Sequence, residues 1–345
     1  MEIRNLNEMD VISHEHVNSE FLSTDFEKLA LNCKIYKGDF YLDSFNYFPI
    51  TKHYFTFLDI FAWKEKSEYD HFFTQKFHSN FEKDKNDIKV FNDVIVLGSS
   101  PGDNYFRNLI TFIPRILFIP DKQVNLAIHR KSSNKLRKFI ENILKSREIE
   151  LKKFIYLDDN FYSFKNSQIP QFFSKEVNIK ILNKIFKKDH KNKNRIYLTR
   201  KNAPYRKIIN ESDLIDELQS KNFKIIDLET LSIVKQIDVF SSAEIIVSPT
   251  SSALANIVFC NKGTKVFEIM PKYQYQYENN LKSRYSYICG VLGCEHFSIE
   301  ADPIPIDNLD ENTKKYIDIN VINQSNYYKN LLVKRDEFKK FINQI

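Results

Sequence analysis

Two arginines follow a short apolar run in the second half of the chain, at a spacing that could bind a charged ligand. Arg200 comes directly after Ile196 to Thr199, and Arg206 follows soon after it. Clustered guanidinium groups donate paired hydrogen bonds and suit a diphosphate. A solvated basic loop would contain the same residue types, so phosphate binding is one of two open interpretations.

A run of hydroxyl and small residues follows another apolar segment. Backbone N–H groups at the start of a helix, together with such hydroxyl groups, can hold an anion. An ordinary serine-capped helix explains the same residues, so this alternative also stays open. The candidate ligand-binding residues are Ser248, Thr250, Ser251, Ser252 and Asn256.

Glu268 stands in an apolar run between Phe267 and Ile269. Burial of a carboxylate costs free energy unless the group is paired. We therefore expect Glu268 to hold a hydroxyl group, a base or an arginine.

Several motifs with known chemistry are absent from the sequence. It has no Asp-x-Asp, no Walker loop, no nucleophile elbow and no His-Glu-x-x-His. Only 6 of the 345 residues are Gly, which argues against nucleotide binding through a glycine-rich loop. The histidines are scattered, and no metal site is predicted.

Short apolar runs alternate with amphipathic segments in a way that indicates a parallel, doubly wound α/β sheet. Strands are predicted at 94–97, 125–129, 154–157, 196–199, 224–228, 244–247 and 265–269. Helices are predicted at 108–118, 136–144, 174–186, 212–220, 232–241 and 251–259. A polar connector is predicted at 166–170, and the first 90 residues show no clear pattern.

Length and composition indicate an ordinary globular protein. The chain has 345 residues, of which 42% are hydrophobic and 28% charged, and the length allows two domains. The net charge of +6 favours anionic partners without the strong basic bias of a nucleic-acid-binding protein. No secretory signal is visible and no apolar run is long enough to span a bilayer, so a cytoplasmic location is expected. The basic segment Lys131 to Lys153 would suit a peripheral position at the inner membrane.

In its middle section the sequence resembles glycosyltransferase family 61, from about Gly98 to Pro271. The matching positions are Asn104-Tyr105-Phe106, Pro114-Arg115, Leu198-Thr199-Arg200, Arg206, Asn210-Glu211, Leu231-Ser232, Gln236, Pro249, Leu254 to Phe259, Gly263-Thr264, Glu268 and Pro271. The family usually has His where Arg107 stands and an acidic residue where Thr111 stands. Its later His and glycines are replaced here by Thr250, Ser251 and Ala253.

The resemblance implies a GT-B-like enzyme with two Rossmann-like doubly wound domains that face a central cleft. Residues 1–172 would form the N-terminal acceptor-binding domain, and 173–345 the C-terminal nucleotide-sugar-binding domain. The last helix of the chain is a candidate for packing back on the N-terminal domain. The enzyme would be inverting and metal-independent, with no cofactor and a UDP-sugar as the expected donor.

The resemblance also implies roles for individual residues. Asp103 is the first candidate for the general base and His53 the second, while Asn104 and Arg107 would bind the acceptor. The sugar donor would be bound by Arg200 and Arg206, by Glu268 and by the five candidate residues between Ser248 and Asn256 that are given above. The expected reaction adds a sugar to a bacterial surface glycan, in lipooligosaccharide or capsular polysaccharide.

Other functions remain open on the sequence. Transfer to a protein or a small glycoside is one alternative, and a catalytically inactive glycan-binding homologue is another, because the family's histidines are replaced. A nucleic-acid-binding role would require aromatic residues interleaved with basic ones on one surface. The basic runs are short and most aromatic residues follow apolar periodicity, so no nucleic-acid partner is expected.

Overall fold

The structure is a computed structural model that describes residues 2–5, 34–44, 47–50, 88–98, 102–190, 194–273, 279–304 and 326–344. The chain divides into two compact units, Met1–Ile181 and Leu182–Ile345. The division lies within the helix Lys175–Phe186, whereas the sequence predicted it before this helix, at residue 172.

The first unit is built on an eight-stranded sheet whose main order is β1-β2-β8-β5-β6-β7. Strand β3 pairs with β2, and β4 pairs with β8. The strands are β1 (Glu2–Asn5), β2 (Lys34–Asp43), β3 (Phe48–Ile50), β4 (Lys89–Asn92), β5 (Val94–Val96), β6 (Gln123–His129), β7 (Glu150–Leu157) and β8 (Phe161–Pro170).

The pairing in this sheet is mixed. Strands β5, β6 and β7 are parallel, and β8 runs parallel to β5. Strand β2 runs antiparallel to both β8 and β3. The expectation of a parallel doubly wound sheet is therefore wrong for part of this unit, because β2 pairs antiparallel with both β8 and β3.

Strand β8 corrects a second expectation, since the sequence predicted a polar connector at 166–170. Its polar side chains are satisfied by neighbouring strands: the Ser167 hydroxyl accepts from the Val94 N–H at 3.1 Å, and Asp39 accepts from the Asn166 N–H at 2.9 Å. Its apolar side chains, Phe164 and Ile169, are fully buried. A polar composition is compatible with a central strand when the strands on either side provide partners.

The helices of the first unit connect the parallel strands. They are α1 (Tyr105–Arg107), a π-helical segment (Asn108–Phe112), α2 (Ile113–Ile116) and α3 (Asn134–Ser146), followed by α4 (Lys175–Phe186) at the division between the units. Helix α3 begins at Ser133, whose hydroxyl accepts from the Leu136 N–H at 3.2 Å. The predicted apolar face, from Leu136 to Leu144, is the buried face of this helix.

The second unit has a six-stranded sheet in the order β10-β9-β11-β12-β13-β14. The first five strands of this order are parallel, and β14 is antiparallel to β13. The strands are β9 (Asn194–Leu198), β10 (Phe223–Ile226), β11 (Ala243–Pro249), β12 (Lys265–Pro271), β13 (Glu295–Ile304) and β14 (Asn330–Leu332). After β10 the chain crosses to the other side of β9, so the strand order reverses between β9 and β11.

Helices alternate with these strands as the sequence predicted. The α-helices are α5 (Glu211–Ser220), α6 (Ile233–Ser241), α7 (Asn279–Lys282), α8 (Arg284–Leu292) and α9 (Arg335–Ile342). Of the residues that the structure describes in this unit, three segments are 3-10 helices: Leu228–Thr230, Ser252–Phe259 and Asn326–Tyr328. The helix predicted at 251–259 is therefore present in the tighter 3-10 form.

The last helix, α9, belongs to the core of the second unit. Phe338 and Phe341 are buried there, and the Phe341 ring lies edge-on to Phe267 with ring centroids 4.9 Å apart. The apolar face of this helix thus packs against β12 of its own unit. Among the described residues, no helix has the length and hydropathy needed to cross a membrane.

Candidate functional site

A pocket with about 360 Å³ of empty space, adjoining open solvent included, lies in the second unit where strands β9, β10 and β11 end. Ligands of open parallel sheets bind at the carboxyl ends of the strands, at the point where the strand order reverses. This pocket lies at that point, between β9 and β11. Its walls are formed by Leu198, Thr199, Arg200, Asn202, Ala203, Asp227, Leu228, Glu229, Ser251 and Ala253.

Arg200 supplies the positive charge of the pocket. One terminal nitrogen of its guanidinium donates to the Tyr205 carbonyl at 3.0 Å, and its Cζ atom lies 6.0 Å from the centre of the Tyr205 ring. The side chain is half-buried. A guanidinium stays charged in a protein, and its planar set of N–H donors suits an anionic ligand.

Glu211 fixes the backbone that carries Arg200. One of its carboxylate oxygens accepts from the Tyr197 hydroxyl at 2.8 Å, from the Thr199 hydroxyl at 2.9 Å and from the Arg200 N–H at 3.3 Å. Burial, reinforced by the Glu211 charge, raises the pKa of Tyr197 well above its ordinary value, so its hydroxyl stays a donor. The carboxylate also stands in the first turn of α5, where the helix dipole favours negative charge.

Ser251 lines the pocket on the β11 side, where the 3-10 helix Ser252–Phe259 begins. Its backbone is extended, and its carbonyl accepts from the buried Tyr285 hydroxyl. The preceding Thr250 N–H donates to the Ile269 carbonyl at 2.8 Å, which ties this turn to β12. Ser252, which follows Ser251, is half-buried.

Three other candidates from the hydroxyl run lie inside the fold. Ser248, Thr250 and Asn256 are at most 2% exposed. The Asn256 amide donates to the Gln236 side chain at 3.0 Å and to the Ala253 carbonyl at 2.9 Å. These three buried residues belong to β11, to the turn and to the 3-10 helix that follows it, and they do not line the pocket.

Glu268 is fully buried on β12 and is paired with a histidine of the neighbouring strand. Its carboxylate accepts from His296 Nε2 at 2.9 Å, and the His296 side chain is 11% exposed. The expectation that this carboxylate holds a base is met by His296. Neither residue lines the pocket: in the sheet register Glu268 lies opposite Ser248 of β11, and His296 lies opposite Val266 of β12.

Arg206 is also buried, at 3% exposed, and its Cζ atom lies 4.9 Å from the Tyr205 ring centre. Its backbone has φ of 57°, in the left-handed region that non-glycine residues seldom adopt. Tyr205 therefore has a guanidinium group near its ring from each of Arg200 and Arg206. Arg206 shapes the loop behind Arg200 and is absent from the pocket lining.

The pocket also contains residues that the sequence did not single out. Asn202, Asp227 and Glu229 line the side formed by the ends of β9 and β10. The available signal was positional, because Asp227 stands near the end of the strand predicted at 224–228 and Glu229 comes directly after it, at the end where ligands bind. Their importance depends on the strand order, which the sequence pattern did not reveal.

The candidate residues of the first unit lie at the start of helix α1. Asp103 and Asn104 are exposed, and the Asn104 side chain accepts from the Arg107 N–H at 3.0 Å. Burial lowers the pKa of Arg107 to about 10, so it stays cationic at neutral pH, and its Cζ atom lies 5.6 Å from the Phe112 ring centre. His53 lies outside the described residues.

A histidine–carboxylate pair, which sequence reasoning missed, lies beside this loop. His129, at the end of β6, is 2% exposed and its Nε2 donates to Asp159 at 3.0 Å, while its Nδ1 accepts from the Lys131 N–H at 3.1 Å. A side chain at Gly102 would come within 2.2 Å of the imidazole, so only glycine fits there. Both ring nitrogens are occupied, and the pair holds the strand end and the loop together.

Within the part of the chain that the structure describes, no three His, Cys, Asp or Glu side chains are grouped closely enough to hold a metal ion. The chain matches the family model described as Glycosyltransferase 61 over residues 69–267, more than half of its length. The match spans the division between the two units. No curated protein matches the sequence.

Proposed function

The chain belongs to glycosyltransferase family 61, and from this premise we propose that it transfers a sugar from a nucleotide-sugar donor, with inversion and without a metal ion. The donor would bind in the pocket of the second unit, and a UDP-sugar is the expected donor. The acceptor would bind to the first unit. The two units would then be the two domains of a GT-B enzyme.

The observation that supports this proposal most directly is that Arg200 and Ser251 both line a pocket at the strand reversal. Transfer requires groups that stabilise the negative charge of the departing diphosphate. Arg200 would supply a guanidinium, and the turn at Ser251 would supply backbone N–H and hydroxyl donors. Donors of this kind can replace a metal ion at a leaving diphosphate.

An inverting transfer also requires a base that removes the proton of the acceptor hydroxyl group. Asp103 is exposed on the loop before α1, so an acceptor could reach its carboxylate, and we propose it for this role. Asn104 and Arg107, on the same loop and helix, would contact the acceptor.

The acceptor we propose is a bacterial surface glycan, in lipooligosaccharide or capsular polysaccharide. Exposed cations on and near helix α3 would favour an anionic glycolipid at a membrane surface. They are Arg130, Lys131, Lys138, Lys145, Lys152 and Lys153. A protein or small glycoside acceptor would not require this surface, and binding to anionic vesicles distinguishes the two.

The proposal is tested first by a thermal-shift screen against UDP-, GDP-, CMP- and dTDP-sugars, because a bound ligand raises the apparent melting temperature. The nucleotide sugar that stabilises the protein is then assayed for hydrolysis without acceptor and for transfer to isolated surface glycan. An inactive glycan-binding homologue would bind glycan but release no nucleotide. Absence of both stabilisation and nucleotide release across the four donors would contradict the proposal.

Metal independence gives a specific expected result. Nucleotide release should continue at an unchanged rate in EDTA, because Arg200 and the N–H groups near Ser251 are expected to stabilise the diphosphate. The comparison is made with the same enzyme supplied with Mg²⁺ or Mn²⁺. Activity that disappears with the chelator and returns with either ion would show that the role given to Arg200 is wrong.

Arg107 gives a second expected result, because it stands where the family usually has histidine. As a cation at neutral pH it cannot act as a base, and it would favour an anionic group on the acceptor. The Arg107→Ala variant should have a raised acceptor KM with donor affinity unchanged, the pattern of lost uniform binding. A lowered melting temperature with equal losses for both substrates would instead indicate a structural role for Arg107, which also contacts the Phe112 ring.

A further inference from the structure

The pocket of the second unit has walls of opposite charge. Arg200 and the turn at Ser251 form a side that attracts anions, whereas Asp227 and Glu229 form a side with two carboxylates. A free diphosphate would be attracted to the first side and repelled by the second. A ligand that fits both sides carries phosphate groups at one end and neutral hydrogen-bond donors at the other.

Asp227 is the carboxylate that the fold orients. It directly follows β10, and its two oxygens accept from the Glu229 N–H at 3.0 Å and from the Asn202 amide at 3.1 Å. The side chain is half-buried, whereas Glu229 is exposed. Because a carboxylate has about four acceptor sites, both oxygens of Asp227 can accept a further hydrogen bond from a ligand.

Hydrogen bonds fix the positions of the two pocket walls relative to each other. The Thr199 N–H donates to the Ile226 carbonyl at 3.0 Å, which joins the ends of β9 and β10 next to Asp227. On the other side, the Gln236 amide donates to the Leu228 carbonyl at 3.1 Å and its oxygen accepts from Asn256 at 3.0 Å. The oriented carboxylate and the cation thus lie on adjacent, fixed strand ends, which reduces the cost of ordering a ligand between them.

We propose that Asp227 accepts a hydrogen bond from the 2′-hydroxyl of the donor's ribose, so that the pocket selects ribonucleotides over 2′-deoxyribonucleotides. This inference rests on the proposed function, because it assumes that the pocket binds a nucleotide. The hydroxyl groups of the ribose are neutral hydrogen-bond donors, and the phosphates are attached to the 5′ carbon of the same sugar. A nucleotide can therefore present phosphates to the cationic side of the pocket and hydroxyl groups to the carboxylate side. A site built to accept from a hydroxyl group discriminates against the analogue that lacks it, since the oriented carboxylate then loses a partner. Sugars carried by dTDP should consequently be poor donors.

The experiment is calorimetric titration of the full chain with three matched pairs: UDP and dUDP, GDP and dGDP, and CMP and dCMP. For the pair whose ribose form binds, the ribose form should bind roughly 10- to 100-fold more tightly, the range of a hydrogen bond to a charged group. The Asp227→Ser variant keeps a capping hydroxyl but is too short to reach the ligand, and it should bind both forms with nearly equal affinity. Asp213→Asn, which removes an exposed carboxylate of the same unit outside the pocket lining, is the matched control and should keep the preference of the wild type.

The outcomes separate this inference from the proposed function. Equal affinity of the wild type for both members of a bound pair would overturn the inference while nucleotide binding stands, and this comparison needs no variant to fold. A ribose preference that persists in the Asp227→Ser variant would show that a different group binds the 2′-hydroxyl. If no member of any pair binds, the proposed function fails and the inference fails with it.

Discussion

Replacement of Arg115 by Met is expected to destabilise the first unit by about 3–5 kcal/mol, because buried carbonyl groups would lose their donor. The Arg115 side chain is fully buried. Its guanidinium donates to the Leu97 carbonyl, to the Pro170 carbonyl at 3.0 Å and, more weakly, to the Val96 carbonyl at 3.4 Å. These carbonyls stand at the ends of the adjacent strands β5 and β8, so one side chain closes this edge of the sheet.

Aromatic rings add to the stability of this buried cation. The Arg115 Cζ atom lies 4.0 Å from the Phe172 ring centre and 5.0 Å from that of Tyr47. Away from water, such cation–π contacts are worth about 2 kcal/mol or more. Arg115→Lys would keep the charge and lose the planar arrangement of donors, so we expect an intermediate loss.

The measurement is urea unfolding followed by far-UV circular dichroism. Arg137→Met is the matched control, since Arg137 lies in the same unit over an aromatic ring, 4.5 Å from the Tyr156 ring centre, but is only half-buried. It should change the free energy of unfolding by less than about 1 kcal/mol. Equal effects of the two substitutions would show that the buried carbonyl contacts contribute little.

Replacement of Arg200 by Ala is expected to weaken binding of the nucleoside diphosphate by about 1.5–3 kcal/mol, the worth of a hydrogen bond to a charged group. Arg200 is the cation of the pocket lining, and its backbone is fixed by Glu211. The loss should be larger for the diphosphate than for the nucleoside, because the guanidinium is expected to contact the phosphates.

Calorimetry with UDP and uridine measures this difference. Lys201→Ala is the matched control: Lys201 is the next residue, carries the same charge and is exposed to solvent. Its removal should change UDP affinity by less than about 0.5 kcal/mol. If Arg200→Ala binds UDP as the wild type does, or if both variants lose affinity equally, the donor phosphates do not lie at Arg200.

The sequence by itself determined the type and order of the elements in the second unit. Between Ile196 and Ile269 every predicted strand and helix is present, since apolar periodicity is a local property that reflects which face of each element is buried. The family could also be assigned from the order of short motifs, and the family model confirms it. The same local reasoning identified Arg200 and Ser251, which do line the pocket.

Local reasoning failed where a residue's role depends on a neighbour that is distant in the chain. The segment 166–170 is polar, yet it is part of a central strand because β2 and β5 supply its hydrogen bonds. Glu268 and His296 meet only because β12 and β13 are adjacent. The pairing of strands is set by the packing of the whole sheet, which no short window of sequence contains.

The pocket is the clearest case of what only the tertiary structure decided. Asp227 follows β10 and Ser251 follows β11, and they form two walls because β9 lies between these strands. The sequence predicted both strand ends but not their order, so it could identify the anion-binding side and not the carboxylate side. The chemistry of a side chain depends on its residue type, whereas its neighbours in the pocket depend on the strand order. The strand order is fixed only when the whole sheet is assembled.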